Sequence, residues 1–201
     1  HTDYAGDGEK GAIPLDNTVC DNINIDNCTF TNILSGIGTH HESETFRTQN
    51  VSVKNCTFNS VLYGTAIDAY SFDSLTISNN NFYNNIGVFA FDSNGVIDNN
   101  NFYAWTEQTD YARIHLIDSN FTIEDNTIED SYKHSIYISG GESIILNNTL
   151  TKSYGAEYGD EYGDGIRVDD AISLDIEDNK IYDVYRYGIY TKNCNGANII
   201  Q

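Results

Sequence analysis

The sequence is short of positive charge. It has 10 lysines and arginines against 30 aspartates and glutamates, a formal net charge of −20. That excludes a nucleic-acid binder that works by neutralising phosphates, which needs a basic face. Long apolar runs are missing too: no stretch approaches the roughly 18 to 20 residues of a membrane span, and no signal-peptide pattern is present, so no membrane insertion is expected. Cysteine is sparse. Cys20, Cys28, Cys56 and Cys194 show neither the paired C-x-x-C of a zinc site nor the density of a disulfide scaffold, and read as small buried hydrophobes. There is one proline and no methionine, and asparagine and glycine take the place of strong helix formers. With 15 tyrosines and many isoleucines and threonines, the composition favours pleated, half-buried surfaces over helices. The 201 residues, 39% of them hydrophobic, suffice for one domain with a core.

What is present is a repeat. Asn27-Cys28-Thr29-Phe30 recurs as Asn55-Cys56-Thr57-Phe58, Asn79-Asn80-Asn81-Phe82 and Asn99-Asn100-Asn101-Phe102. Weaker copies follow as Asp125-Asn126-Thr127-Ile128, Asn147-Asn148-Thr149-Leu150 and Asp178-Asn179-Lys180-Ile181. Five residues before each terminal apolar position stands Ile25, Val53, Ile77, Ile97, Ile123, Ile145 or Ile176, the alternation of a strand with one face inward. A second strand follows each motif, as in Ala66-Ile67-Asp68-Ala69, Ile136-Tyr137-Ile138 and Gly165-Ile166-Arg167-Val168. Short strands repeated with loops of variable length describe a solenoid. The expected fold is all-β, a right-handed single-stranded parallel β-helix of about seven complete coils, forming one domain over 1–201. Neither end carries a polar cap and the chain begins at His1, so it reads as a piece of a longer solenoid, open at both ends. Stacking the coils places Cys28, Cys56, Asn80, Asn100, Asn126, Asn148 and Asn179 in one column, where an inward asparagine can bond its own backbone and the amide of the next coil. Cys28 and Cys56 are then stacked neighbours with a structural role; their disulfide state is left open.

With the coils aligned, the sequence resembles the pectate-lyase-like superfamily of right-handed β-helix proteins, and within it the tailspike-type proteins of Gram-positive bacteria and their phages. The resemblance rests on stretches such as Thr18-Val19-Cys20-Asp21-Asn22-Ile23, Asn27-Cys28-Thr29-Phe30 and Gly36-Ile37-Gly38-Thr39-His40. It implies a carbohydrate-active protein that is extracellular, on a cell surface or in a virion tail, with a glycan as its partner. The analogy with tailspikes implies a homotrimer.

The ligand of such a fold lies along an outer sheet, where outward residues of successive coils repeat about every 5 Å. The outward positions of the second strand are Gly38, Asp68, Phe89, His115, Tyr137, Arg167 and Tyr190, and a second row runs His40, Tyr70, Phe91, Ile117, Ser139, Asp169 and Lys192. His115, Tyr137 and Arg167 fall side by side, flanked by Asp169. Proton abstraction next to a carboxylate needs a base, an acid and a cation, roles these three residues can fill. For hydrolysis, a pair among Asp68, Glu107, Asp110, Asp160, Asp164 and Asp169 would serve. Two inserted loops add Trp105, Glu107 and Asp110 on one side and Tyr158, Asp160 and Asp164 on the other. These form two walls around the short turn Tyr132-Lys133-His134. Tyr70, Phe89, Trp105, Tyr158 and Tyr190 suit stacking on sugar rings, and the carboxylates and Lys192 suit hydroxyl groups.

The expected function is therefore to bind and cleave a polysaccharide, as a lyase or glycoside hydrolase; the alternative is a non-catalytic adhesin or phage receptor-binding protein. No cofactor is required. The acidic run from Tyr158 to Gly165 has donors suited to calcium but lacks the spacing of a twelve-residue calcium loop, and reads first as a solvated acidic loop. His40, His41, Glu42 and Glu44 have no second converging cluster, so no metal site is assigned. The charge of −20 makes a neutral or weakly charged glycan easier to accommodate, unless calcium or Arg167 and Lys192 invert the field locally.

Overall fold

The computed structural model describes residues 11–15, 20–33, 35–38, 47–61, 65–84, 86–103, 111–154 and 163–200. Within them the chain winds through three parallel sheets. Sheet 1 runs from Asn24–Asp26 through Asn120–Glu124 to Ala197–Ile200, and sheet 2 from Thr29–Thr31 through Thr127–Ser131 to Lys180–Tyr182. Sheet 3 comprises Gly11–Pro14, Ser35–Gly38, Thr65–Tyr70, Ile86–Phe91, Ile114–Ile117, Ile136–Ser139, Ile166–Asp169 and Ile189–Lys192. Each sheet pairs a strand only with its counterparts one turn before and after. The described residues thus make seven complete rungs of three strands, numbered 1 to 7 from Asn24–Asp26 onward, with one further strand at each end.

The first strand expected in each repeat is in fact two, one in sheet 1 and one in sheet 2. The break falls where the repeat begins: Asn27, Asn55, Asn79, Asn99, Asp125, Asn147 and Asp178 all have φ between 53° and 57°. Asparagine and aspartate tolerate this left-handed conformation because their short side chains can hydrogen-bond locally. The chain turns a corner there and the next residue points inward.

That inward residue builds the ladder. Asn126 Nδ2 donates to Ile97 O at 2.8 Å, and its Oδ1 accepts from the Asn100 N–H at 2.9 Å. Asn80, Asn100, Asn148 and Asn179 repeat the pattern. The direction differs from the expected one: each Oδ1 accepts from the amide of the preceding rung. Cys56 takes the same step with its thiol, donating to Lys54 O at 3.1 Å, and Cys28 does so to Asp26 O at 3.4 Å. Both are free thiols.

A second ladder, at the corner from sheet 3 to sheet 1, was not anticipated. Ser93 Oγ accepts from the Phe72 N–H at 3.0 Å, and Ser119 Oγ accepts from the Ser93 N–H at 3.1 Å. Between the ladders the core is filled by columns of like residues: Phe30, Phe58, Phe82 and Phe102 stack with centroids 4.9, 5.1 and 4.5 Å apart. Ile128 and Leu150 continue that column, fully buried. The third corner, from sheet 2 to sheet 3, carries the long connections of rungs 4 and 6, and it borders the outward face of sheet 3.

Candidate functional site

Sheet 3 sets the site by its register. Gly38, Asp68, Phe89, His115, Tyr137, Arg167 and Tyr190 pair in sequence across successive strands, the row expected from the alignment of coils. Tyr70, Phe91, Ile117, Ser139, Asp169 and Lys192 form the second row. Trp105, Glu107, Asp110, Tyr158 and Asp160, together with His40, His41, Glu42 and Glu44, lie outside the described residues.

The outward residues are less exposed than their positions suggested. Phe89, His115 and Asp169 retain only 9%, 8% and 8% of their surface, because neighbouring rungs and the adjoining corner lap over them. His115 meets the Tyr137 ring edge to face at 4.8 Å, Phe89 at 5.3 Å and Tyr111 at 5.2 Å. Tyr70 lies 5.6 Å from Phe89 and 5.9 Å from Phe91. Asp68 is half-buried, while Lys192 is exposed at the far end.

Toward the last rungs the face becomes ionic. Asp169 Oδ2 accepts from Arg167 Nε at 3.1 Å and from the Tyr137 hydroxyl at 3.4 Å. The Arg167 guanidinium lies 5.1 Å from the Tyr190 ring and 6.0 Å from that of Tyr137, a cation against the negative face of each ring. Burial pushes the Tyr137 phenol up, and the Asp169 charge adds to it, so Tyr137 keeps its proton at neutral pH. Burial pulls the His115 imidazole down to about 4, and the Lys133 ammonium acts in the same direction. His115 is therefore neutral, in the form that can take a proton.

Asp164 is corrected by the structure. Expected in a loop wall, it is fully buried, with Oδ1 accepting from the Tyr187 N–H at 3.2 Å and 3.7 Å from Arg186 Nε. Its own N–H donates to His134 Nδ1 at 3.3 Å. His134, expected on an open floor, is buried as well, and burial with the cations Arg167, Lys133 and Arg186 pulls it down to about 3. The Asp164 Oδ2 to His134 Nδ1 separation of 3.6 Å is too long for a hydrogen bond, and Nδ1 already accepts one. The pair therefore does not form an aspartate-oriented histidine base.

The residues that sequence reasoning missed here are Arg186, Tyr187 and Tyr111, together with the burial of His134. A signal was available. Ala112, His134, Asp164 and Tyr187 each stand two residues before a sheet 3 strand, and backbone bonds between successive rungs place them on one step. The insertions ahead of that step hide the alignment.

Four buried side-chain atoms on this face have no hydrogen-bond partner among the described residues: His115 Nδ1, Asp164 Oδ2, Asp169 Oδ1 and Arg186 Nη1. Such atoms also occur off this face, at Ser52 and Ser143; native proteins satisfy almost all such groups, so the four here make this face the candidate site. Among the described residues no three metal-ligating side chains converge, and no helix is long and apolar enough to cross a membrane.

Neither a curated protein nor a solved structure matches the chain. Residues 65–201 match the family model of the right-handed beta helix region, from the sheet 3 strand of rung 2 through the whole of the face just described. With well over half of the chain matched and three parallel sheets wound rung upon rung, the protein belongs to the right-handed β-helix family.

Proposed function

We propose that this protein is a carbohydrate-active β-helix that binds an extracellular or cell-surface polysaccharide along the outward face of sheet 3 and cleaves it by β-elimination, in the manner of the pectate-lyase-like proteins its coils resemble. The observation that carries the reading is the adjacency of His115, Tyr137 and Arg167 on three successive rungs, with Tyr137 and Arg167 meeting on Asp169. In this chemistry neutral His115 takes the proton from the carbon beside a sugar carboxylate. That electron pair becomes the new C=C bond as the C–O bond breaks, and Tyr137 gives its proton to the departing oxygen. Arg167 faces the charge that builds on the carboxylate. A bound carboxylate also raises the basicity of His115, offsetting its burial. Hydrolysis has less support, since Asp164 is sealed from solvent and Asp169 is held by Arg167 and Tyr137. A glycan is the partner, with an extracellular, cell-surface or virion-tail setting and, by the tailspike analogy, a trimer.

A second reading is a non-catalytic glycan-binding protein, favoured by the small exposed area of His115 and its weak basicity. Incubation with a panel of acidic and neutral polysaccharides separates the two. Elimination yields an unsaturated product with ultraviolet absorbance, which His115→Ala and Tyr137→Phe should each reduce by about 10² to 10⁴-fold while binding persists. Binding without unsaturated product, or full activity in both variants, would reject the lyase assignment.

A further inference from the structure

Asp164 ties its rung to both neighbours, to one through its backbone N–H and to the other through its carboxylate. Its N–H holds His134 on the preceding rung, while its Oδ1 takes the Tyr187 N–H and faces Arg186 on the following one. Each of those partners supports an aromatic residue of the face. The His134 ring lies 5.8 Å from that of Tyr137 at an interplanar angle of 29°, and the Arg186 guanidinium sits 4.9 Å from Tyr187 and 5.6 Å from Tyr190. A carboxylate with no exposed surface is a costly way to hold two turns together, and apolar residues of similar volume commonly do so as well or better. What a carboxylate adds is a fixed charge. Standing 3.7 Å from Arg186 Nε, it draws the guanidinium to one place beside the rings.

We infer that Asp164 is a positioning residue: its backbone N–H holds His134 beside Tyr137, and its carboxylate, facing Arg186, sets the orientation of Tyr190 on the sheet 3 face. The ring-setting part stands on the geometry alone. Its use in holding a glycan rests on the function proposed above.

The test uses the isosteric Asp164→Asn, Arg186→Gln and the double variant, beginning without ligand. In the wild-type protein the Arg186 guanidinium carbon lies 4.9 and 5.6 Å from two ring centroids, and the adjoining Hδ protons should resonate upfield of their usual position in proton NMR. Asp164→Asn should remove at least half of that displacement while the Ile166 and Ile189 methyl signals of the core stay in place. An unchanged Arg186 signal in folded Asp164→Asn would overturn the inference. Should Asp164→Asn fail to fold, Arg186→Gln answers through Tyr190, whose ring signals should move; unmoved signals would overturn it equally.

Affinity electrophoresis in polygalacturonate and in xyloglucan gives the second readout. For whichever polymer retards the wild-type protein, each single variant should bind about tenfold more weakly, a loss of about 1.4 kcal/mol. The double variant should be no worse than either single one, because both act along one path. Losses that multiply would overturn the inference. If neither polymer retards the wild-type protein, the proposed function loses support while the Arg186 signal still decides the positioning role.

Discussion

Asn126 is buried, yet its polar atoms are all engaged: Nδ2 donates to Ile97 O, and Oδ1 accepts from the Asn100 N–H. Asn126→Ala would leave both partners buried and unsatisfied, and should cost about 2 to 6 kcal/mol of stability, at about 1 to 3 kcal/mol for each group, read from the urea midpoint. Asn126→Cys should cost less, since Cys56 shows that a thiol can occupy this step. A loss below about 1 kcal/mol for alanine would mean that the ladder contributes little. This column was legible in the sequence because it recurs in every coil at one step, with cysteine in the first two coils and asparagine in the five that follow. Asp164 was not. Its step is occupied by a different residue in each rung, behind insertions of unequal length, so an acidic loop and a buried anchor look alike until the register is known.

Rungs, rather than single strands, decide how the site responds to acid. His115 and His134 belong to rungs 4 and 5 and are held neutral, with folded values of about 4 and 3 against an ordinary 6.5. The unfolded chain therefore binds more protons than the folded one between those values. The stability these neutral histidines contribute is complete above about pH 6.5 and falls as pH drops toward 4. Asp164, whose carboxyl burial raises, works in the opposite sense and offsets part of the loss. Urea midpoints measured from pH 7 to pH 4.5 should decline, and His115→Asn should flatten the slope; an equal slope in that variant would contradict the burial argument. The period of the repeat and the rows of sheet 3 were readable at this scale. The splitting of the first strand was not, because alternation continues through a left-handed residue. Only the backbone shows that Asn99, with φ of 53°, turns a corner. Close approach is equally invisible in sequence: a Cβ on Gly95 would stand 2.0 Å from Leu75 O, so this glycine lets neighbouring rungs meet.

At the scale of the whole molecule, a charge of −20 surrounds a face that gathers Arg167, Arg186 and Lys192. An acidic polysaccharide is repelled at long range and attracted at short range. Moderate salt screens the first more than the second, since the Debye length is about 10 Å at 0.1 M. Association with polygalacturonate should therefore quicken between about 0.01 and 0.1 M salt; a monotonic fall would show that the local cations dominate. Neither this balance nor the aromatic lining depends on a cleft between the inserted loops.

The two ladders and three sheets share one more property, which concerns force. Every bond between rungs runs along the solenoid axis, so a pull on the two ends loads the rungs in series and opens one at a time, as a zipper does. Successive ladder positions are from 20 to 31 residues apart. Each opening should thus release roughly 70 to 110 Å of chain at about 3.5 Å per residue. Stretched in an optical trap, the protein should lengthen in unequal steps whose sizes follow the lengths of its coils, and a single abrupt rupture would show that the rungs yield together.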